Sequence, residues 1–277
     1  MRRTSYRRPP LLLAALVAGA CASAPPADVP VPETGVAFAY RPVTAATYVF
    51  TDSAVFEMQF GNVSFAAAGT ASIDLATVPE GIRLNARLVD FRGAFNGPTG
   101  ASTADESGVK GPFQWTMSTS GQIIDKKLPE MTDDFEQISR SGDPLRSLVI
   151  PLPRTPILRG ASWTDTIVVR ESGETSVDNR AVVTSTWTGD SLVAGRTLRV
   201  IRSTMDNDLN ITASTGGMTV SQKLKGSTRA TTLWDPDRGL PVERVSTSDL
   251  SGTLDVAEAG MSGIPVKARL TSRLRMQ

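Results

Sequence analysis

The segment IPVKARLTSRLRM (264–276) alternates with a period of two. Ile264, Val266, Ala268, Leu270, Leu274 and Met276 share one parity, and Lys267, Arg269, Thr271, Arg273 and Arg275 share the other. Successive side chains leave a strand on opposite sides, so this pattern predicts a strand with one face buried and one wet. On a helix the same residues would spread apolar and cationic groups around the whole circumference. Ile82, Leu84, Ala86 and Leu88 alternate with Arg83, Asn85 and Arg87 in the same way. Similar runs cover 46–60, 63–76, 111–126, 163–171, 180–188, 196–213, 217–234 and 241–256. Turn chemistry separates them, as in WDPDRG (234–239), TSGQ (119–122) and Gly216-Gly217. Short turns between such strands predict an antiparallel meander.

One segment breaks the pattern. In LPEMTDDFEQISRSGDP, Leu128, Met131, Phe135 and Ile138 fall at helical spacing. Pro129 and Glu130 precede them, Asp133 and Asp134 lie in the early turns, and Arg140 and Gly142 come at the end. Asp143-Pro144 is placed to start a second short turn. A short helical connection is expected near 129–147, followed by an extended PLPRTP linker at 151–156. The β domain, 40–277, then has sub-halves 40–127 and 161–277 joined by 128–160. The halves echo each other loosely, Thr47-Tyr48-Val49 against Ser162-Trp163-Thr164, as a duplication or as two similar meanders would. Residues 97–112 show no periodicity and are expected to form a long hairpin loop. The expected fold is dominated by β structure: a curved sheet, a half-barrel or two packed sheets.

Composition removes several kinds of chemistry. The chain of 277 residues has no histidine, which excludes Ser-His-Asp and Cys-His catalysis and most zinc sites. Walker, G-x-G-x-x-G, G-x-S-x-G and C-x-x-C motifs are absent from it. Neither a cofactor nor enzymatic activity is expected. Residues 1–20 hold four arginines and no acid, so without them the formal charge moves from +1 to −3. That balance gives no argument for nucleic acid as a partner.

The N-terminus carries the one cysteine. MRRTSYRRPP is basic, and LLLAALVAGA is a ten-residue apolar run, too short to span a bilayer but suited to a signal peptide over 1–20. Val17-Ala18-Gly19-Ala20-Cys21 resembles the lipobox of a bacterial lipoprotein precursor, with Ala18 where leucine is usual. The resemblance implies that Cys21 is lipidated and becomes the mature N-terminus. Ala22 stands where an aspartate would favour inner-membrane retention, which implies the outer membrane, facing the periplasm. Pro25, Pro26, Pro30 and Pro32 then give residues 21–39 the composition of an extended tether. The plainer alternative is an ordinary secreted protein with a chance cysteine. The order strands–helix–strands is similar in architecture to the half-barrel of lipoprotein carriers, though no motif carries that likeness. The mature domain also resembles the β-rich lipoproteins of bacterial outer membranes.

Several side chains are candidates for a site, each with a bland reading beside it. Trp115, Trp163, Trp187 and Trp234 suit an apolar or sugar-binding pocket, or simply core. Lys267, Arg269, Arg273 and Arg275 suit anionic headgroups, or a solvated strand face that deters edge aggregation. Asp206-Asn207-Asp208 with Asn210 offers oxygen ligands, but alternate strand residues diverge and the glycine and glutamate of an EF-hand loop are missing. Asp235 and Asp237 read as turn chemistry. Asp133, Asp134 and Glu136 are the remote basis for a carboxylate hydrolase, or complements to a helix dipole. The leading expectation is a lipid-anchored envelope protein binding a hydrophobic ligand, with docking on another envelope protein as the alternative.

Overall fold

The structure, a computed structural model, describes residues 34–97, 100–141, 145–171, 175–215 and 218–277. The signal peptide, Cys21, the tether up to residue 33, Asp143-Pro144 and Gly216-Gly217 lie outside the described residues.

The first half of the chain supplies β1 (Val43–Met58), β2 (Gly61–Val78), β3 (Gly81–Gly97), β4 (Gly100–Asp105), β5 (Val109–Lys110), β6 (Phe113–Met117), β7 (Ile123–Lys127) and β8 (Glu130–Met131). Helix α1 (Asp133–Ser141) and a 3-10 turn at Arg146–Leu148 follow. The second half supplies β9 (Ser162–Glu171), β10 (Thr175–Val193), β11 (Arg196–Thr215), β12 (Met218–Asp235), β13 (Leu240–Val256) and β14 (Met261–Met276). Among the described residues twelve strands form one antiparallel sheet, in the order β7-β6-β3-β2-β1-β14-β13-β12-β11-β10-β9, with β4 beside β3. This single curled sheet is a half-barrel, and β5 and β8 form a separate small pair. Each half is a meander, and the two meanders join where β1 pairs with β14.

Two expectations are corrected locally. Residues 97–112 are not one loop. Residues 100–105 extend the sheet on β3 from Arg92 to Gly97, a 3-10 turn covers Glu106–Gly108, and β5 pairs with β8. Serine, threonine and alanine dominate that stretch, so it lacks an apolar parity to be read, and the pairing comes from the free edge of β3. The run 111–126 is two strands, β6 and β7, folded at Ser118–Gln122. The helix begins at Asp133, later than Pro129, and Thr132 caps it through its hydroxyl.

The sheet order sets a problem for the chain. β7 and β9 are the two outermost strands, so residues 128–161 must travel from one edge to the other. They do so inside the curve. A row of small and polar residues crosses the inner face in register: Gly93, Ala67, Asp52, Ser272, Ser246, Ala230, Ser203 and Ser185. That row seats the crossing. A Cβ on Gly93 would lie 2.6 Å from Ile138 of α1, and Ser147 bonds Ser272 at 2.8 Å. Phe135 of α1 packs on Phe91 with ring centroids 4.8 Å apart.

The segment 34–42 enters the same space. Val36 bridges Ile157, Phe38 packs between Trp163 and Trp187, and Tyr40 meets Trp234 edge-on at 5.1 Å. Residues 36–40, the end of the expected tether, are therefore core. The Tyr40 hydroxyl accepts from the Ile150 amide at 2.7 Å, and burial pushes its pKa up. Tyr40→Phe should destabilise the protein by about 1–3 kcal/mol, because it strands a buried N–H. Thermal unfolding followed by circular dichroism measures it, and an unchanged midpoint would refute this bond.

Candidate functional site

The inner face of the sheet is the candidate site, because its two ends are filled differently. At the end that carries the β12–β13 turn, Tyr48, Phe50, Trp187, Trp234, Leu240 and Leu274 are fully buried against the segments 34–42 and 145–158. At the other end a second apolar cluster forms around Leu224, Leu250, Val266 and Ala268. Phe56, Met58, Leu209 and Leu254 flank it and are only half-buried. Ile211 and Val220 continue it towards the hairpin tips, also half-buried. Phe60, at the β1–β2 tip, is 60% exposed.

Between the ends lies a polar belt. Ser185 and Ser203 bond at 2.8 Å, and Asn207 donates to Thr228, whose hydroxyl bonds Ser248 at 2.7 Å. One row nearer the filled end, Phe91, Gly69, Phe50, Leu274, Arg244, Thr232, Ile201 and Trp187 are in register. Arg244 is the charge in this otherwise neutral row. It is 7% exposed, it donates to the Thr232 hydroxyl at 3.0 Å, and burial holds its pKa down to about 10. Among the described residues no carboxylate forms an ion pair with it. The reading of the sequence passed over Arg244. The signal was its parity: in LPVERVSTSDLSGTLDV it shares the phase of Val242, Leu250 and Leu254, where a core strand carries no charge.

The four tryptophans do not gather around an opening. Trp115, Trp187 and Trp234 are buried and Trp163 half-buried. Trp163 donates to the Pro151 carbonyl, and Trp187 donates to the Gly189 carbonyl beneath the Arg199 guanidinium. Trp163, Trp187 and Trp234 grip Phe38 and Tyr40. Lys267, Arg269, Arg273 and Arg275 lie on the outer face, where acids partly balance them. Arg273 pairs with Glu243 at 2.6 Å, Arg269 with Asp249 at 3.7 Å, and Lys267 stands opposite Glu57 in register. Asn207 points inward to Thr228, while Asp208 pairs with Lys225 across β11 and β12, so these oxygens diverge. Asp235 is buried, accepts from the amides of Asp237 and Arg238, and pairs with Arg196 at 2.9 Å. Asp133, Asp134 and Glu136 occupy the first turn of α1.

An open groove of about 890 Å³ lies beside α1, bounded by Asp52, Ala67, Gly93, Thr132 and Asp134 among others, and it is too polar for an acyl chain. The outer face of the sheet carries Arg180, Arg202, Asp206, Lys223, Lys225 and Arg229. A membrane-spanning barrel has its apolar band outside. Here the apolar face is the concave one. Among the described residues no helix is long and apolar enough to cross a membrane.

No family model and no curated protein matches the chain. Two solved structures share a weak likeness. One is the β domain of the Bordetella autotransporter Brka, at 9% identity and TM-score 0.26, covering 84% of this chain and 99% of that one. The other is Pseudomonas aeruginosa OpdK with vanillate, at 7% identity and TM-score 0.20, with the same coverage of each chain. At these scores no shared architecture or function follows.

Proposed function

We propose that this is a lipid-anchored protein of the cell envelope that holds a hydrophobic ligand on the concave face of its half-barrel, without catalysing a reaction. The observation that carries the reading is the uneven filling of that face. One end is packed by the chain itself, and the other leaves Phe56, Met58, Leu209 and Leu254 half-covered. Half-covered apolar residues inside a curve form a trough, and apolar troughs with a few polar groups are the usual form of a ligand site. The polar outer face keeps the domain in water, and the lipobox at Cys21 supplies the attachment.

Organic extraction of the purified full chain followed by mass spectrometry tests the ligand. A reproducible apolar compound, absent when Leu224→Lys is purified alongside, is the expected result. The anchor is tested separately. Cys21→Ser should move the protein from the membrane fraction to the soluble fraction, seen by fractionation and blotting. Retention of most of it in the membrane would overturn the anchor.

A second reading has its own observation. Edge strand β7 exposes Ile123 at 45% and Ile124 at 55%, and an open edge can accept a strand from another envelope protein. Crosslinking in cells that recovers monomer alone would sink it.

A further inference from the structure

We infer that the trough selects an anionic amphiphile, with Arg244 holding the acidic head and the second apolar cluster covering the chain. This rests on the reading of the concave face as a ligand site, and it adds the class of ligand.

The argument starts from the cost of burying a charge. A guanidinium out of water needs an anion or a full set of hydrogen-bond acceptors. At 7% exposure, Arg244 spends one of its five N–H donors on Thr232, and no ion pair with it exists among the described residues. Its pKa of about 10 keeps it cationic at neutral pH. The other inward arginine with a described environment, Arg199, is treated differently: it pairs with Asp190 and lies over Trp187. Arg244 thus has a positive charge that the described fold leaves without a counter-charge.

Position along the strand then gives the shape of the anion. The inner parity of β13 reads Arg244, Ser246, Ser248, Leu250, Gly252, Leu254. A cation and two hydroxyls give way to apolar residues in one direction. At ~3.3 Å per residue, Arg244 and Leu250 are about 20 Å apart, and Leu254 lies beyond, near the hairpin tips. Both neighbours repeat the order: Thr232 and Thr228 lead to Leu224 on β12, and Ser272 leads to Val266 on β14. A molecule matching three adjacent strands has an oxyanion at one end and a hydrocarbon chain of that scale at the other. Guanidinium and hydroxyl donors suit carboxylate and phosphate heads alike.

Isothermal titration with three probes of equal chain length tests this: dodecanoate, dodecyl phosphate and dodecanol. The protein is the full chain carrying Cys21→Ser, so its own acyl groups do not compete. The anions should bind at least about tenfold more tightly than dodecanol, the worth of a charge-assisted hydrogen bond. The stronger of the two anions identifies the head. Arg244→Gln should abolish the preference and leave dodecanol binding unchanged. Should that variant fail to fold, Thr232→Val removes the hydroxyl that orients the guanidinium and should weaken the anions alone, severalfold. Equal binding of alcohol and anions by the parent chain, or an anion preference that survives Arg244→Gln, overturns the inference and leaves the trough standing. Absence of binding by all three probes overturns both.

Discussion

Trp234→Ala is expected to lower stability by about 3–5 kcal/mol, the range for removing a large aromatic from a closed core. In a domain of this size that corresponds to a fall of roughly 6–20 °C in the unfolding midpoint. Trp234 is fully buried, and its ring meets Tyr40 edge-on at 5.1 Å. Tyr40 in turn ties segment 34–42 to the crossing segment at Ile150. The truncation therefore opens a cavity at the point where two non-adjacent stretches of chain are held against the sheet. Those stretches cannot collapse into the space, because the sheet fixes one and the Ile150 bond fixes the other. Trp163→Ala is the control. Its ring is half-buried, and it should cost clearly less in the same calorimetric scan. Equal losses at the two positions would mean that segment 34–42 is not anchored at Trp234.

Gly252→Val should prevent recovery of a folded protein, or destabilise it beyond about 4 kcal/mol. A Cβ at residue 252 would fall well inside the van der Waals radius of the Lys223 carbonyl oxygen, which is backbone and cannot rotate away. Gly226 is in the same position against the Asp249 carbonyl. Both glycines face inward on adjacent strands, Gly252 opposite Leu224 and Gly226 opposite Leu250. Sheets curl tightly where inner side chains are missing, and these two gaps let β12 and β13 bend around the second apolar cluster. Ser251→Val, one residue away on the outer face, should change stability by no more than about 0.5 kcal/mol. Soluble yield and urea unfolding of the pair decide the point. Comparable behaviour of the two variants would show that the curl does not depend on Gly252.

The strands were legible because half-burial writes itself into a sequence. In β14 and the first half of β3, each second residue is apolar, and the structure buries that parity. Where both parities are small and polar, as in 100–105, the signal vanishes, and a strand formed because β3 offered an unpaired edge. Helix α1 was visible from Phe135 and Ile138, the residues that seal it to the sheet. Of the candidate site residues, the tryptophans were legible as large buried groups, but their partners Phe38 and Tyr40 were not. Those partners lie in a stretch whose prolines and position read as tether.

The amino-acid sequence by itself determined the element type, the antiparallel pairing of neighbours and which face of each strand meets water. Alternation is a local property, set by the geometry of one strand and the polarity of its residues. The pairing of β1 with β14 depended on the tertiary structure, because it joins residues more than 200 positions apart and nothing near either strand encodes it. The path of 128–161 across the concave face follows from that pairing, which puts β7 and β9 at opposite edges. The place of Arg244 was decided there too. Its parity in the sequence is that of a core residue, but only the stacking of β12, β13 and β14 sets its charge at the foot of an apolar trough.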